Sequence, residues 1–142
     1  MSLSLSQSRF ADPLTIPVQT DENVVAMRKL VREKSLEIKL SLVDQTKFIT
    51  AASELARNML RYAGGGEVHF SLLSKGNSRG LCLDFIDRGP GILDIAQALV
   101  DGFTTGDGLG LGLGGAKRLV DDFDIQSELG KGTKVSIVKW KK

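Results

Sequence analysis

The chain has 142 residues, 42% hydrophobic and 25% charged, the size and composition of one soluble globular domain. A net charge of +2 is too small to point to nucleic acid, and one cysteine with one histidine excludes an internal disulfide and a His/Cys metal centre. No apolar window approaches the roughly 18 residues of a membrane span, and MSLSLSQSRFAD lacks a basic segment followed by an apolar one, so a cytoplasmic protein without nucleic-acid or membrane partners is expected.

Residues 1–12 are Ser-rich and read as a disordered tail, leaving 13–142 as a single domain. Leu14, Ile16 and Val18 alternate with polar residues and predict a short strand. Asp21 can cap a first helix with Val24, Met27, Val31 and Ile38 on one stripe. A second helix is expected from near Ser41 or Asp44, with Phe48, Leu55, Met59 and Tyr62 apolar and Gly64–Gly66 ending it. The period then drops to two. Val68, Phe70 and Leu72 share one strand face, and Leu81, Leu83 and Phe85 share the next, after a turn at Gly76-Asn77. His69 and Cys82 point away from those faces. A short helix is expected over Ile92–Val100, a loop over 102–112, and a helix over Gly114–Phe123. Two strands, near Asp124–Glu128 and Thr133–Trp140, are joined by Gly130-Lys131-Gly132. Their order predicts an α+β two-layer sandwich, a mixed sheet with helices on one face.

Four stretches carry chemistry. Glu54 and Asn58, four apart, share a helix face beside the apolar stripe. The amide oxygen suits Mg²⁺ and the carboxylate can accept a proton from a hydroxyl, although a bare Glu-x-x-x-Asn also occurs on ordinary solvated faces. Asp87-Arg88-Gly89-Pro90-Gly91 follows a strand; the carboxylate can accept from an exocyclic amine, and the glycines let a flat ligand approach. The same residue types also make a plain turn. Gly106–Gly115 holds six glycines in ten residues ahead of a helix, which suits phosphate, but it lacks the Lys-Ser/Thr of a P-loop. Gly132-Thr133 opens the last strand.

In this order the stretches resemble the GHKL ATPases, whose fold is the Bergerat α/β sandwich with a mostly antiparallel sheet. The N-box matches at Glu54 and Asn58, the Asp-x-Gly-x-Gly motif at Asp87, Gly89 and Gly91, the Gly-x-Gly motif within Gly108–Gly112, and the closing Gly-Thr at Gly132 and Thr133. Ser-Glu-Leu-Ala-Arg-Asn, Tyr-Ala-Gly, Asp-Gly-Phe-Thr-Thr and Lys-Arg-Leu-Val-Asp-Asp-Phe look like the RsbT-type switch serine/threonine kinases, over Leu14 to Trp140. The resemblance implies ATP and Mg²⁺ as cofactors. It implies Asn58 as the Mg²⁺ ligand and Glu54 as the base toward the substrate hydroxyl. Asp87 would meet the adenine amine, helped by Gly89, Gly91 and Thr133. A lid from about Phe103 to Gly112, with Thr104, Thr105, Gly108, Gly110 and Gly112, would hold the phosphates. No Lys or Arg lies between Phe103 and Ala116, which leaves charge neutralisation to Mg²⁺ and backbone amides, or to a residue elsewhere such as Arg57 or Lys117.

The implied function is a partner-switching stress-signalling kinase. It would phosphorylate a STAS-domain antagonist and then activate a PP2C-type phosphatase or its regulatory domain. Two alternatives accompany it: an anti-sigma factor with kinase activity on an anti-anti-sigma protein, and an ATP-gated binding module with little transfer. A homodimer is left open. His69, Cys82 and Trp140 are expected to serve structure, and the first helix to cover the sheet or dock a partner protein.

Overall fold

The computed structural model describes residues 7–8, 14–92 and 112–142. Six strands form one sheet: β1 (Gln7–Ser8), β2 (Leu14–Val18), β3 (Gly66–Lys75), β4 (Ser78–Asp87), β5 (Asp122–Glu128) and β6 (Gly132–Trp140). The order is β1-β3-β4-β6-β5, and β2 lies beside β1 along the same edge of β3. The sheet stands at the antiparallel end of the expected mixture, since every described pair is antiparallel. Gln7 and Ser8, within the stretch read as a tail, pair with Leu73 and Leu72; the rest of residues 1–12 lies outside the described residues.

Three helices are described: α1 (Asp21–Glu37), α2 (Leu42–Ala63) and α3 (Gly112–Arg118). The cap of α1 is Thr20 rather than Asp21. Its hydroxyl accepts from the Asn23 N–H at 3.1 Å while Asn23 Oδ1 accepts from the Thr20 N–H at 3.2 Å, a reciprocal capping box. Asp21 sits instead in the first turn, where a carboxylate favours the helix dipole. Ser41 caps α2 through the Asp44 N–H, and Gly64 ends it in the left-handed conformation.

The apolar stripes of α1 and α2 cover one face of the sheet. Val24, Met27, Val31, Phe48, Leu55 and Met59 are buried against Val68, Phe70, Leu81, Leu83, Phe85, Val135 and Ile137. Tyr62 departs from its expected place: it is 38% exposed, with the Arg61 guanidinium 5.8 Å from its ring. A second cluster, Leu73, Cys82, Val138 and Trp140, lies on the opposite face, as alternation along β4 requires. Burial and the neighbouring Asp84 push the Cys82 thiol well above its ordinary pKa, which marks a packed thiol. Trp140 lies over Gly80 and donates its indole N–H to Asp122 at 2.7 Å. His69, on that same face, meets Glu67 at 3.0 Å.

The helix expected over Gly114–Phe123 is shifted. It runs from Gly112 to Arg118, and Phe123 belongs to β5. The Leu119 N–H closes the last turn on the Ala116 carbonyl, and the Asp121 N–H already bonds the Val138 carbonyl of β6. Leu119 and Val120 reach the core from this turn, so their spacing looked helical from sequence. The helix expected over Ile92–Val100 and nearly all of the 102–112 loop lie outside the described residues. No helix among the described residues is long and apolar enough to cross a membrane.

Two buried polar groups stand out. Lys139, 4% exposed, donates to the Leu119 carbonyl at 3.2 Å and lies 3.5 Å from Asp44 and 3.6 Å from Asp121. The Ser35 hydroxyl, fully buried in α1, has no hydrogen-bond partner among the described residues. An unsatisfied buried hydroxyl costs about 1 kcal/mol or more, and alanine is the better helix former. Ser35→Ala is therefore expected to raise the thermal midpoint by about 4 °C, read by circular dichroism. A lowered midpoint would mean that the hydroxyl has a partner.

Candidate functional site

The site is built where β4 ends. Asp87 stands directly opposite Thr133 of β6, and Thr133 opposite Ser127 of β5. Residues opposite one another point to the same face, so Asp87, Thr133 and Ser127 form a row across three strands. That face is the helix-covered one, because Phe85, Val135 and Ile125 precede or follow them at even spacing.

Asp87 Oδ1 accepts the Gly89 N–H at 2.8 Å and the Thr133 N–H at 3.3 Å. Among the described residues its second oxygen accepts nothing, so it remains an acceptor at the edge of the row. The turn after Asp87 is joined to the β5–β6 hairpin. The Gly130 N–H donates to the Pro90 carbonyl at 2.9 Å, and the Ile92 N–H donates to Ser127 Oγ at 2.8 Å. Two glycines make the approach possible. Gly132 has φ +115°, and a Cβ there would collide with the Asp87 carbonyl oxygen. Gly91 has φ +81°, and a Cβ there would collide with the Glu128 carbonyl oxygen. Side chains rarely adopt such φ values, so both backbone and space call for glycine.

The last turns of α2 lie over this strand end. A Cβ added to Gly66 would meet both the Met59 sulfur and the Asp87 Cα, and Gly89 abuts Ala63. Glu54 and Asn58 stand on the adjoining helix surface, one turn apart. The Glu54 side chain is 14% exposed, and Arg57 Nη1 lies 3.7 Å from its Oε1 while remaining largely in solvent. Arg57 thus forms an i,i+3 ion pair with Glu54. Asn58 is half-buried, and its amide makes no hydrogen bond among the described residues.

Asp87, Gly89, Gly91 and Thr133 are therefore brought together, with Glu54 and Asn58 on the neighbouring helix. Gly112 begins α3, which packs on α2 through buried Ala116. Thr104, Thr105, Gly108 and Gly110 lie outside the described residues. Ser127 is the site residue that sequence reading missed. Ser127 and Thr133 lie equally far from Gly130, so a tight turn there places two hydroxyls opposite one another; that symmetry was the available signal.

Residues 43–142 match the family described as histidine kinase-, DNA gyrase B-, and HSP90-like ATPase. The chain is also 41% identical over 129 residues to serine/threonine-protein kinase RsbT of Bacillus subtilis (strain 168), covering 91% of this chain and 97% of that one. The chain belongs to the GHKL ATPases and, among them, to the RsbT-type serine/threonine-protein kinases. The fold agrees. The RsbU and RsbW domains of Rv1364c from Mycobacterium tuberculosis superpose with a TM-score of 0.62 at 22% identity, over 91% of this chain. This chain spans 32% of that longer one. The SiaB–SiaC complex from Pseudomonas aeruginosa gives 0.52 at 10% identity, over 93% of this chain and 91% of that one.

An outward carboxylate oxygen at Asp87 is complementary to an amine on a flat base. The Asn58 side chain offers one hard amide oxygen, the ligand type that Mg²⁺ takes beside phosphate and water.

Proposed function

We propose that this kinase is cytoplasmic, acts on a serine or threonine of a STAS-domain antagonist in a partner-switching module, and once released from it activates a PP2C-type phosphatase. The observation that carries this reading is the 41% identity to RsbT over nearly the whole of both chains. The Asp87 clamp and the Glu54–Asn58 helix face supply a physical site for it.

Asp87 receives the base amine on its outward oxygen, and Thr133 borders the same edge. Asn58 offers its amide oxygen to Mg²⁺. Bound Mg·ATP supplies the γ-phosphoryl group and the positive charge that offsets charge developing on it. Glu54, largely shielded from water, takes the proton of the attacking hydroxyl, and Arg57 holds its carboxylate in place from 3.7 Å. Arg57 and Lys117, both exposed, are candidates for the positive charge that the sequence between Phe103 and Ala116 lacks.

The test is intact-mass spectrometry of a STAS-domain partner incubated with this chain and Mg·ATP. The wild type is expected to add one phosphate. Glu54→Gln is expected to slow transfer about 100- to 10,000-fold while retaining ADP binding. Nucleotide binding without any gain of mass on the partner would overturn the substrate assignment. Unimpaired transfer by the variant would remove Glu54 from its role.

A further inference from the structure

The corner between α1 and α2 exposes more apolar surface than its own folding uses. Leu36, in the last turn of α1, is 56% exposed, and Leu42 and Val43, in the first turn of α2, are 76% and 63% exposed. The work of starting α2 falls to other residues. Ser41 caps it through the Asp44 N–H, the Gln45 amide donates to the Leu40 carbonyl at 2.9 Å, and Asp44 faces Lys139. A first helical turn favours acidic side chains, and Val is a poorer helix former than Ala or Leu. The turn between the helices is closed by the Lys39 N–H on the Leu36 carbonyl and the Leu40 N–H on the Ser35 carbonyl. That closure sets Lys39 at φ +62°, where glycine is the usual residue. Lys39 and Lys47 are exposed and form no ion pair among the described residues. Val43, Lys47, Thr50 and Glu54 recur at spacings of four, three and four, so they share one stripe of α2.

We infer that the α1–α2 corner is a docking surface for the protein substrate: Leu36, Leu42 and Val43 seat an apolar spot on it, Lys39 and Lys47 meet carboxylates around that spot, and the acceptor hydroxyl reaches Glu54 about 16 Å along the same helix stripe. This rests on the reading of Glu54 as the base toward that hydroxyl. The occupant follows from the chemistry. A serine/threonine-protein kinase acts on a protein. Glu54 is reached from the outer side of α2, and that side continues to the corner. The nucleotide edge at Asp87 lies by the other end of α2, beside Met59 and Ala63, so ATP does not use these side chains. A symmetric dimer through this corner would set one basic surface against another. A substrate with an apolar centre and an acidic rim is complementary to it. Burial of the apolar side chains supplies affinity, and the lysines set encounter rate and register.

The test is steady-state transfer from saturating Mg·ATP to the STAS-domain protein, read by intact mass on the full chain, with ADP affinity and thermal midpoint measured beside it. Leu42→Ser/Val43→Ser is expected to raise KM for that protein about 100-fold, about tenfold for each side chain, with kcat and ADP affinity unchanged. Lys47→Glu is expected to raise KM about tenfold and to flatten its rise with salt. Lys39→Gly separates docking from folding. It relieves the left-handed backbone, so the thermal midpoint holds or rises, while KM still increases about threefold. An unchanged KM in Leu42→Ser/Val43→Ser, or a kcat that falls in step with the thermal midpoint, would overturn the docking surface alone. Should that double variant not fold, an unchanged KM in Lys47→Glu would overturn it equally. A wild type that adds no phosphate to the STAS-domain protein would strike the substrate reading, and the docking inference with it.

Discussion

Asp87→Asn is expected to weaken ADP binding about 100-fold while leaving the thermal midpoint nearly unchanged. The reason lies in how the two carboxylate oxygens are used. Oδ1 accepts the Gly89 and Thr133 N–H groups, and an amide oxygen can do the same. The outward oxygen becomes an NH₂ group that faces the base amine, donor against donor. A hydrogen bond to a charged group is worth about 1.5–3 kcal/mol, and leaving donors unpaired adds to the loss. Asp87→Ala separates the two functions. It removes the anchor of the turn as well, so it is expected to lose the same affinity and also about 2 kcal/mol of stability. Calorimetry with ADP and urea denaturation on both variants read the two effects. Equal ADP affinity in wild type and Asp87→Asn would displace Asp87 from the base site.

Lys139→Ala is expected to do the reverse, costing about 2 kcal/mol of stability at neutral pH with ADP affinity intact under conditions where the variant is folded. That is a large part of the stability of an ordinary domain. Lys139 lies six residues along β6 from Thr133, about 20 Å away at strand spacing, so it does not reach the site. Its ammonium joins the start of α2 through Asp44, the turn after α3 through the Leu119 carbonyl, and the segment entering β5 through Asp121. Removing it takes the nearby cation from Asp44 and the donor from the Leu119 carbonyl, while Asp121 keeps Lys142 and the Trp140 N–H.

The pH dependence follows from Asp121. Burial works to raise its carboxyl, but hydrogen bonds from the Lys142 ammonium and the Trp140 N–H, with the Lys139 charge, outweigh burial and hold it below its ordinary value. A carboxyl lowered by folding adds stability above its unfolded value of about pH 4, and loses it as the pH falls through the folded value. Below that point Asp121 is neutral with or without Lys139. The gap between wild type and Lys139→Ala in urea midpoint is therefore expected to narrow in acid. A constant gap down to low pH would mean that Lys139 acts through packing rather than charge.

Much of the fold was legible because its signals are local. Alternation at Val68/Phe70 and Leu81/Leu83/Phe85, the stripe from Val24 to Val31, and Gly64 after Met59 each lie within one element. Each was read from periodicity or turn chemistry. The end of the short third helix was not, because Leu119, Val120 and Phe123 enter the core from a turn and a strand whose start is set by the Asp121 N–H bonding Val138. The cap at Thr20 was missed for a smaller reason: Thr20 and Asp21 are both capping types, and the capping box with Asn23 chose between them. Lys139 is one of three lysines in the last four residues, and only its packing against Asp44 and Asp121 shows it buried.

The sequence by itself determined the layer architecture and the family, and it singled out Glu54, Asn58, Asp87, Gly91 and Thr133 as candidates, since motif order and element period are properties of the chain read along its length. Tertiary structure decided what those residues do to one another. Strand register set Asp87, Thr133 and Ser127 in one row, and the close approach of Gly132 to Asp87 joined the turn to the hairpin. The Thr133 N–H donates to an Asp87 that lies 46 residues earlier in the chain, and no local pattern encodes that meeting.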